Sequence, residues 1–144
     1  MTTWPPDAEG VVTLPSGCRV RGRGLARGPA EAAPAPDFGV YLTARVHAER
    51  WPSRWIAWPD FRLPRDPSEA MAALREAYDR AAIERVEVAC DGGSGRTGTA
   101  LALLARLDGV PAGDAVAWVR RHYRPRAVET PWQRRFVRTA RLAD

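Results

Sequence analysis

Lysine is absent from these 144 residues; all 22 basic side chains are arginine. A Walker-type phosphate loop, which relies on a lysine to reach the terminal phosphates, is therefore excluded. Cysteine is almost as scarce, with only Cys18 and Cys90, far apart in the chain. They make neither a disulfide framework nor a zinc ligand set, and no Cys/His spacing of the zinc type exists. His47 and His122 are isolated and read as surface or structural side chains rather than ligands. Neither a metal nor a cofactor is expected. No apolar run approaches the roughly 20 residues that span a bilayer. The opening MTTWPPDAEG lacks the basic and apolar regions of a secretory signal. A cytoplasmic protein with no membrane partner is the expectation.

What is present suits a globular domain. Hydrophobic residues at 45% and charged residues at 27% are enough to fill a core and solvate its surface, so residues 1–144 are expected to form one domain. A net charge of +5 favours an anionic partner, but 17 acidic residues are mixed among the arginines, so no nucleic-acid partner is expected. Arginines concentrate between Arg120 and Arg141. That concentration has two readings, a solvated helix face or a field that steers an anionic substrate. A monomer is expected.

Strand and helix signals alternate. Residues 11–23 read as two short strands about the turn Pro15–Gly17, followed by a Pro- and Ala-rich surface loop over 25–37. FGVYL (38–42), RWIAWPD (54–60) and RVEVA (85–89) read as strands. Ser68 reads as the N-cap of a helix through residue 82, and the apolar RTGTALALLARL (96–107) as a central helix. Two amphipathic helices follow, over 112–123 and 130–142. This order predicts an α/β fold, a central mostly parallel sheet flanked by helices. WPPD at Trp4–Asp7 is assigned no function.

The chemistry concentrates in VEVACDGGSGRTGTALALLA, Val86–Ala105, where a cysteine ends a strand and glycines lead into a helix. GSGRTG (Gly93–Gly98) matches a dinucleotide-binding fingerprint, but the second strand and its acidic residue do not follow; Asp114 falls in a helix. The other reading takes CDGGSGRT as C-x5-R-T. A tight loop after a strand turns successive amides into one concavity, and the following helix aims its positive end there. Glycines let an anion approach the backbone closely. Arg96 can fork onto two phosphate oxygens. The same donors stabilise a sulfur anion on Cys90.

This loop resembles the signature of cysteine-based protein tyrosine phosphatases, including the compact dual-specificity branch. The resemblance implies hydrolysis of phosphotyrosine, with phosphoserine and phosphothreonine as further substrates of that branch, through a phosphocysteine intermediate. The partner it implies is a phosphorylated protein or peptide. It assigns Cys90 as nucleophile and Arg96 as phosphate ligand, with the backbone of Asp91, Gly92, Gly93, Ser94 and Gly95 around the phosphate. Thr97 matches a hydroxyl that donates to the cysteine sulfur; it is equally a first-turn helix hydroxyl.

Expelling a phenolate near neutral pH calls for a general acid. WPDFRLP (Trp58–Pro64) resembles the family's mobile Trp-Pro-Asp loop, with Asp60, thirty residues before Cys90, at the acid position. A turn or cap aspartate is the structural alternative. VETPWQRRFV (128–137) resembles the late segment whose glutamines orient the hydrolytic water. Gln133 matches the second glutamine and Glu129 replaces the first, while Thr130-Pro131 also reads as a helix start. Two departures stand out: Ala89 takes the place of the family's histidine, and Asp91 puts a carboxylate beside the phosphate site. A catalytically weak relative that only binds phosphorylated proteins is therefore the second reading, although a pure binder has no use for the acid. The absence of lysine from the loop disfavours phosphoinositides. For Cys18 the alternatives are a buried strand cysteine or a protective disulfide with Cys90.

Overall fold

A computed structural model describes residues 2–27 and 34–142. Five short segments form one sheet: β1 (Val11–Thr13), β2 (Arg19–Gly24), β3 (Phe38–Thr43), β4 (Ser53–Ala57) and β5 (Val86–Cys90). Their order is β1-β2-β5-β3-β4, and only the β1–β2 pair is antiparallel. The strand that ends in Cys90 is thus central, paired with β2 (Gly24 opposite Cys90) and β3 (Val40 opposite Val88). Four helices flank the sheet: α1 (Pro67–Ala81), α2 (Gly95–Leu107), α3 (Ala115–His122) and α4 (Pro131–Thr139). Of the predicted surface loop over 25–37, Leu25–Arg27 form a 3-10 turn, while 28–33 lie outside the described residues.

Helix α1 is capped by Asp66 and not by Ser68. Asp66 is extended and its carboxylate accepts from Glu69 N–H at 3.1 Å. Pro67 explains the shift, since its fixed backbone angle already belongs to the first helical position and the cap must precede it. Helix α3 begins at Ala115, later than the predicted 112, because Pro111–Asp114 close a turn through Asp114 N–H and Pro111 O at 2.9 Å.

Helix α2 is buried from Gly95 to Ala105, as its nearly uniform apolar sequence requires. It lies against β5 and β2 and meets α1, α3 and α4. Truncating Leu101, Leu103 or Leu104, all fully buried, costs about 2–5 kcal/mol. This packing fixes the start of α2 relative to the end of β5.

The strands alternate, so Val20, Val40, Val88 and Ile56 join the helical core. The opposite face carries Glu87, fully buried, with Arg21, Arg23 and Tyr41 all hydrogen-bonded to its carboxylate at 2.6 to 3.1 Å. Burial alone favours a neutral Glu87. The hydrogen bond from Arg23 and the charges of Arg21 and Arg23 outweigh it, and the carboxyl is held below its ordinary range. Trp4 covers this cluster, stacked on Arg21 at 4.2 Å and donating to Val86 O at 2.8 Å. Trp51 closes the other side with a 2.7 Å bond to Tyr41. WPPD at the start of the chain thus contributes a core tryptophan.

Candidate active site

Cys90 lies at the end of β5 with only 2% of its surface exposed. Its Sγ accepts hydrogen bonds from Gly93 N–H at 3.2 Å and the Thr97 hydroxyl at 3.0 Å. Every carbonyl from Asp91 to Gly95 is engaged on the outer side of the loop. Asp91 O accepts from Ala26 N–H (3.0 Å), Gly92 O from Arg124 Nη1 (3.2 Å) and Gly93 O from the Tyr123 hydroxyl (2.6 Å). Ser94 O accepts from Gly98 N–H (2.9 Å) and Gly95 O from the Thr99 hydroxyl (2.7 Å). The peptides are all trans, and in a trans peptide N–H and C=O point in opposite directions. The amides of residues 92–96 are therefore turned to the inner side, as the Gly93 bond to sulfur illustrates.

Gly93 makes this path possible, since its φ of 82° is a left-handed conformation that side chains resist. At Gly95 a Cβ would meet the exposed Glu129 carboxylate, which would have to swing aside. Ser94 is the N-cap of α2 but its side chain caps nothing, so the first helix amides stay available to an anion.

Arg96 links the two motifs. It is 2% exposed, and Nη1 donates to Trp58 O at 2.9 Å. Nη2 stands 3.4 Å from Asp60 Oδ1 and 3.5 Å from Asp91 Oδ2. Nε is buried with no hydrogen-bond partner among the described residues. A buried donor without an acceptor is costly, and at a loop lined with amides it marks a place for an anion.

Strand β4 ends at Ala57, shortly before the proline expected to stop it, which leaves Trp58-Pro59-Asp60 on the following loop. Trp58 is fully buried, donates from its indole to Arg62 O at 2.6 Å and meets Phe136 edge-on. Asp60 is half-exposed and accepts from Phe61 N–H at 3.0 Å, with Phe61 at a φ of 61°. The first turn of α4 holds the far side of the loop: Trp132 donates from its indole to Phe61 O, and Gln133 Nε2 donates to Arg62 O at 3.2 Å. Gln133 also completes the capping box of α4, its Oε1 accepting from Thr130 N–H (3.1 Å) and Glu129 N–H (3.0 Å). An open groove of about 700 Å³ runs along Asp60, Phe61, Arg62, Leu63 and Trp132.

Cys90, Arg96, Thr97 and Asp60 thus come together around one concavity, with Asp91 exposed on its rim. Gln133 lies behind the Trp58–Asp60 loop and is fully buried. Tyr123 and Trp132 carry no site expectation from the sequence, and Arg124 only that of its arginine cluster, a solvated helix face or a steering field. Tyr123 and Arg124 reach the loop from the end of the expected helix over 112–123, and only the local excess of arginine points to it. Within that excess Arg120 has a structural task, donating to Ala127 O at 2.8 Å and Val128 O at 2.7 Å. These bonds hold Val128 at a φ of 65°, a strained angle for a β-branched residue.

Cys18 is half-buried in the turn before β2 and is not a strand residue. Gly24 pairs with Cys90, so Cys18 lies six strand positions away, about 20 Å at ~3.3 Å per residue. No disulfide spans that distance. Burial and the neighbouring Asp108 charge push the Cys18 thiol up, away from reactivity. His47 pairs with Glu49 and His122 stacks on Trp118, both in structural settings.

Residues 42–143 match the family model described as protein-tyrosine phosphatase, and the chain belongs to that family. The fold agrees with the solved structure titled Tk-PTP in the active form (TM-score 0.66, 25% identity), covering 83% of this chain and 86% of that one. A mutant form of Tk-PTP superposes with a TM-score of 0.61 and 26% identity, over 71% of this chain and 74% of that one. In sequence, the chain is 34% identical over 121 residues to the uncharacterized protein MJ0215 of Methanocaldococcus jannaschii, which spans 71% of this chain and 75% of that protein. The family and the fold define a phosphatase-like enzyme of the tyrosine-phosphatase type. No helix among the described residues is long and apolar enough to cross a membrane.

Proposed function

We propose that the protein hydrolyses phosphotyrosine in proteins or peptides, with phosphoserine and phosphothreonine as secondary substrates, and works as a cytoplasmic monomer. The observation that carries the reading is the position of Asp60 within 3.4 Å of the arginine of the cysteine loop. A binding module has no need of a carboxyl group there.

The proposed reaction has two steps. The Cys90 thiolate attacks phosphorus while Arg96 and the amides of residues 91–96 hold the other oxygens. The phosphorus–oxygen bond to the leaving group breaks, and the Asp60 carboxyl gives that oxygen its proton. Water then attacks the phosphocysteine, Asp60 takes the water's proton, and the sulfur leaves as a thiolate stabilised by Thr97 and Gly93 N–H. No metal is required, because arginine and oriented amides supply the positive field.

Gln133 enters this scheme as a positioning residue. Its amide oxygen already takes two backbone N–H groups and its nitrogen holds Arg62 O. To orient a water it must first leave these partners, so its role here is to support the acid loop.

The test is turnover of phosphotyrosine, phosphoserine and phosphoinositide substrates by the native protein and Cys90→Ser, with vanadate as inhibitor. Vanadate-sensitive release from phosphotyrosine, lost in Cys90→Ser, is the expected result. Binding of a phosphopeptide without any turnover would instead favour the weak relative that only captures its target.

A further inference from the structure

The cysteine loop contains three glycines in four positions, Gly92, Gly93 and Gly95, and so has little intrinsic preference for one peptide orientation. Ala89, just before the nucleophile, has no donor in its side chain to restrain it. Yet the loop works only if its N–H groups face inward. A reversed peptide would aim a carbonyl at the thiolate and at the phosphate, turning attraction into repulsion.

We infer that Tyr123 and Arg124 are positioning residues that set the amide orientation of the phosphate site from outside. The inference rests on the phosphatase reading of that site. Arg124 Nη1 donates to Gly92 O at 3.2 Å, and the N–H at the other end of the same peptide, that of Gly93, donates to Cys90 Sγ at 3.2 Å. Tyr123 donates to Gly93 O at 2.6 Å, which turns the N–H of Ser94 to the inner side. Two consecutive residues therefore pin two consecutive peptides.

The arrangement is specific to these side chains. The Tyr123 ring fills space that a Cβ on Gly22 would occupy, at 2.7 Å, so β2 leaves room for it. Burial pushes the Tyr123 phenol up, so the hydroxyl keeps its proton and remains a donor. Arg124 lies over the Tyr123 ring at 5.0 Å and also reaches Ser94 Oγ at 3.4 Å. Its guanidinium adds positive charge at the loop's Gly92 and Ser94. A purely structural role for the pair would give no reason for both donors to end on loop carbonyls.

The experiment compares the native protein with Tyr123→Phe, Arg124→Ala, Arg124→Lys and the Phe/Ala double variant. The readouts are vanadate affinity, steady-state turnover of an aryl phosphate, the amide proton resonance of Gly93 and the thermal midpoint. Each single loss is expected to weaken vanadate binding and raise KM about three- to tenfold, the scale of one hydrogen bond. The double variant should lose more, and Arg124→Lys should recover part of the loss. The Gly93 amide resonance should move in Arg124→Ala and return toward the native position in Arg124→Lys. Tyr123→Phe keeps the ring, so a folded protein is expected; if it does not fold, the arginine pair of variants decides. Native vanadate affinity and an unmoved Gly93 resonance in the variants would overturn the inference. A native protein that binds no vanadate would instead sink the phosphatase reading itself.

Discussion

Removing the Asp60 carboxyl should have two opposite effects, and their separation tests the mechanism. The first is loss of the proton that the leaving oxygen needs. General acid catalysis contributes about 10²–10⁴-fold, so kcat for a phenolic substrate should fall by that factor in Asp60→Ala. The fall corresponds to about 2.7–5.4 kcal/mol at 1.36 kcal/mol per tenfold. The second effect comes from the ion pair. Asp60 Oδ1 is 3.4 Å from Arg96 Nη2, and the side chain is 55% exposed, so the aqueous Coulomb energy applies, about 1.2 kcal/mol. A phosphate entering the site competes with that carboxylate. Removing it should tighten vanadate or phosphate binding roughly three- to sevenfold once salt screening is allowed for. The assay is steady-state turnover across aryl phosphates of graded leaving-group acidity, with vanadate inhibition measured in parallel. The kcat loss should shrink as the leaving group becomes more acidic, while the gain in vanadate affinity stays constant. Equal kcat losses across the series would refute the acid role, and unchanged vanadate affinity would refute the electrostatic argument.

Asp91→Asn removes the other carboxylate beside Arg96, so KM for aryl phosphates should fall severalfold with kcat little changed; a higher KM would contradict this. Trp132→Phe deletes the donor to Phe61 O and should lower kcat two- to fivefold for phenolic leaving groups, about the value of one hydrogen bond, while sparing acidic ones. Uniform slowing across the leaving-group series would show that Trp132 acts elsewhere. Glu87→Gln leaves the buried Arg21 without its counter-charge and Arg23 with only the longer 3.5 Å pair to Glu49, and should cost about 3–5 kcal/mol of stability by urea denaturation. The Glu87 carboxyl is held below its unperturbed 4.5, so its stabilisation is present above about that pH and fades as pH falls through the lower folded value. Denaturation midpoints of the native protein should therefore drop with acid in a way that Glu87→Gln does not share. Identical acid profiles would refute that account.

The cysteine loop and the Trp-Pro-Asp loop stand out in the sequence because the chemistry proposed for them demands particular residues at particular spacings. Cys90, Arg96 and Thr97 sit on one strand–loop–helix unit, where local sequence dictates local geometry. Asp60 was legible through its neighbours Trp58 and Pro59. The partners that order those loops were not, because they act across the fold. Tyr123 and Arg124 reach Gly93 and Gly92 from thirty-two residues away or slightly less, and hydrogen bonds to backbone carbonyls leave no pattern in the sequence. The Glu87 cluster was hidden for a similar reason, since RVRGRG in β2 has the composition of an exposed strand. Only the pairing of β2 with β5 brings Arg21 opposite Glu87 and makes the charges mutually satisfying. Ser68 followed directly by the acidic Glu69 has the look of a helix start, whereas Pro67 places the cap at Asp66.

The most direct measurement is acid-quenched mass analysis of the protein during turnover of an aryl phosphate. A phosphoryl group should appear on the peptide containing Cys90, form faster than the steady state and be absent from Cys90→Ser. Turnover at the native rate with no phosphoryl group on Cys90, or full activity in Cys90→Ser, would contradict the account.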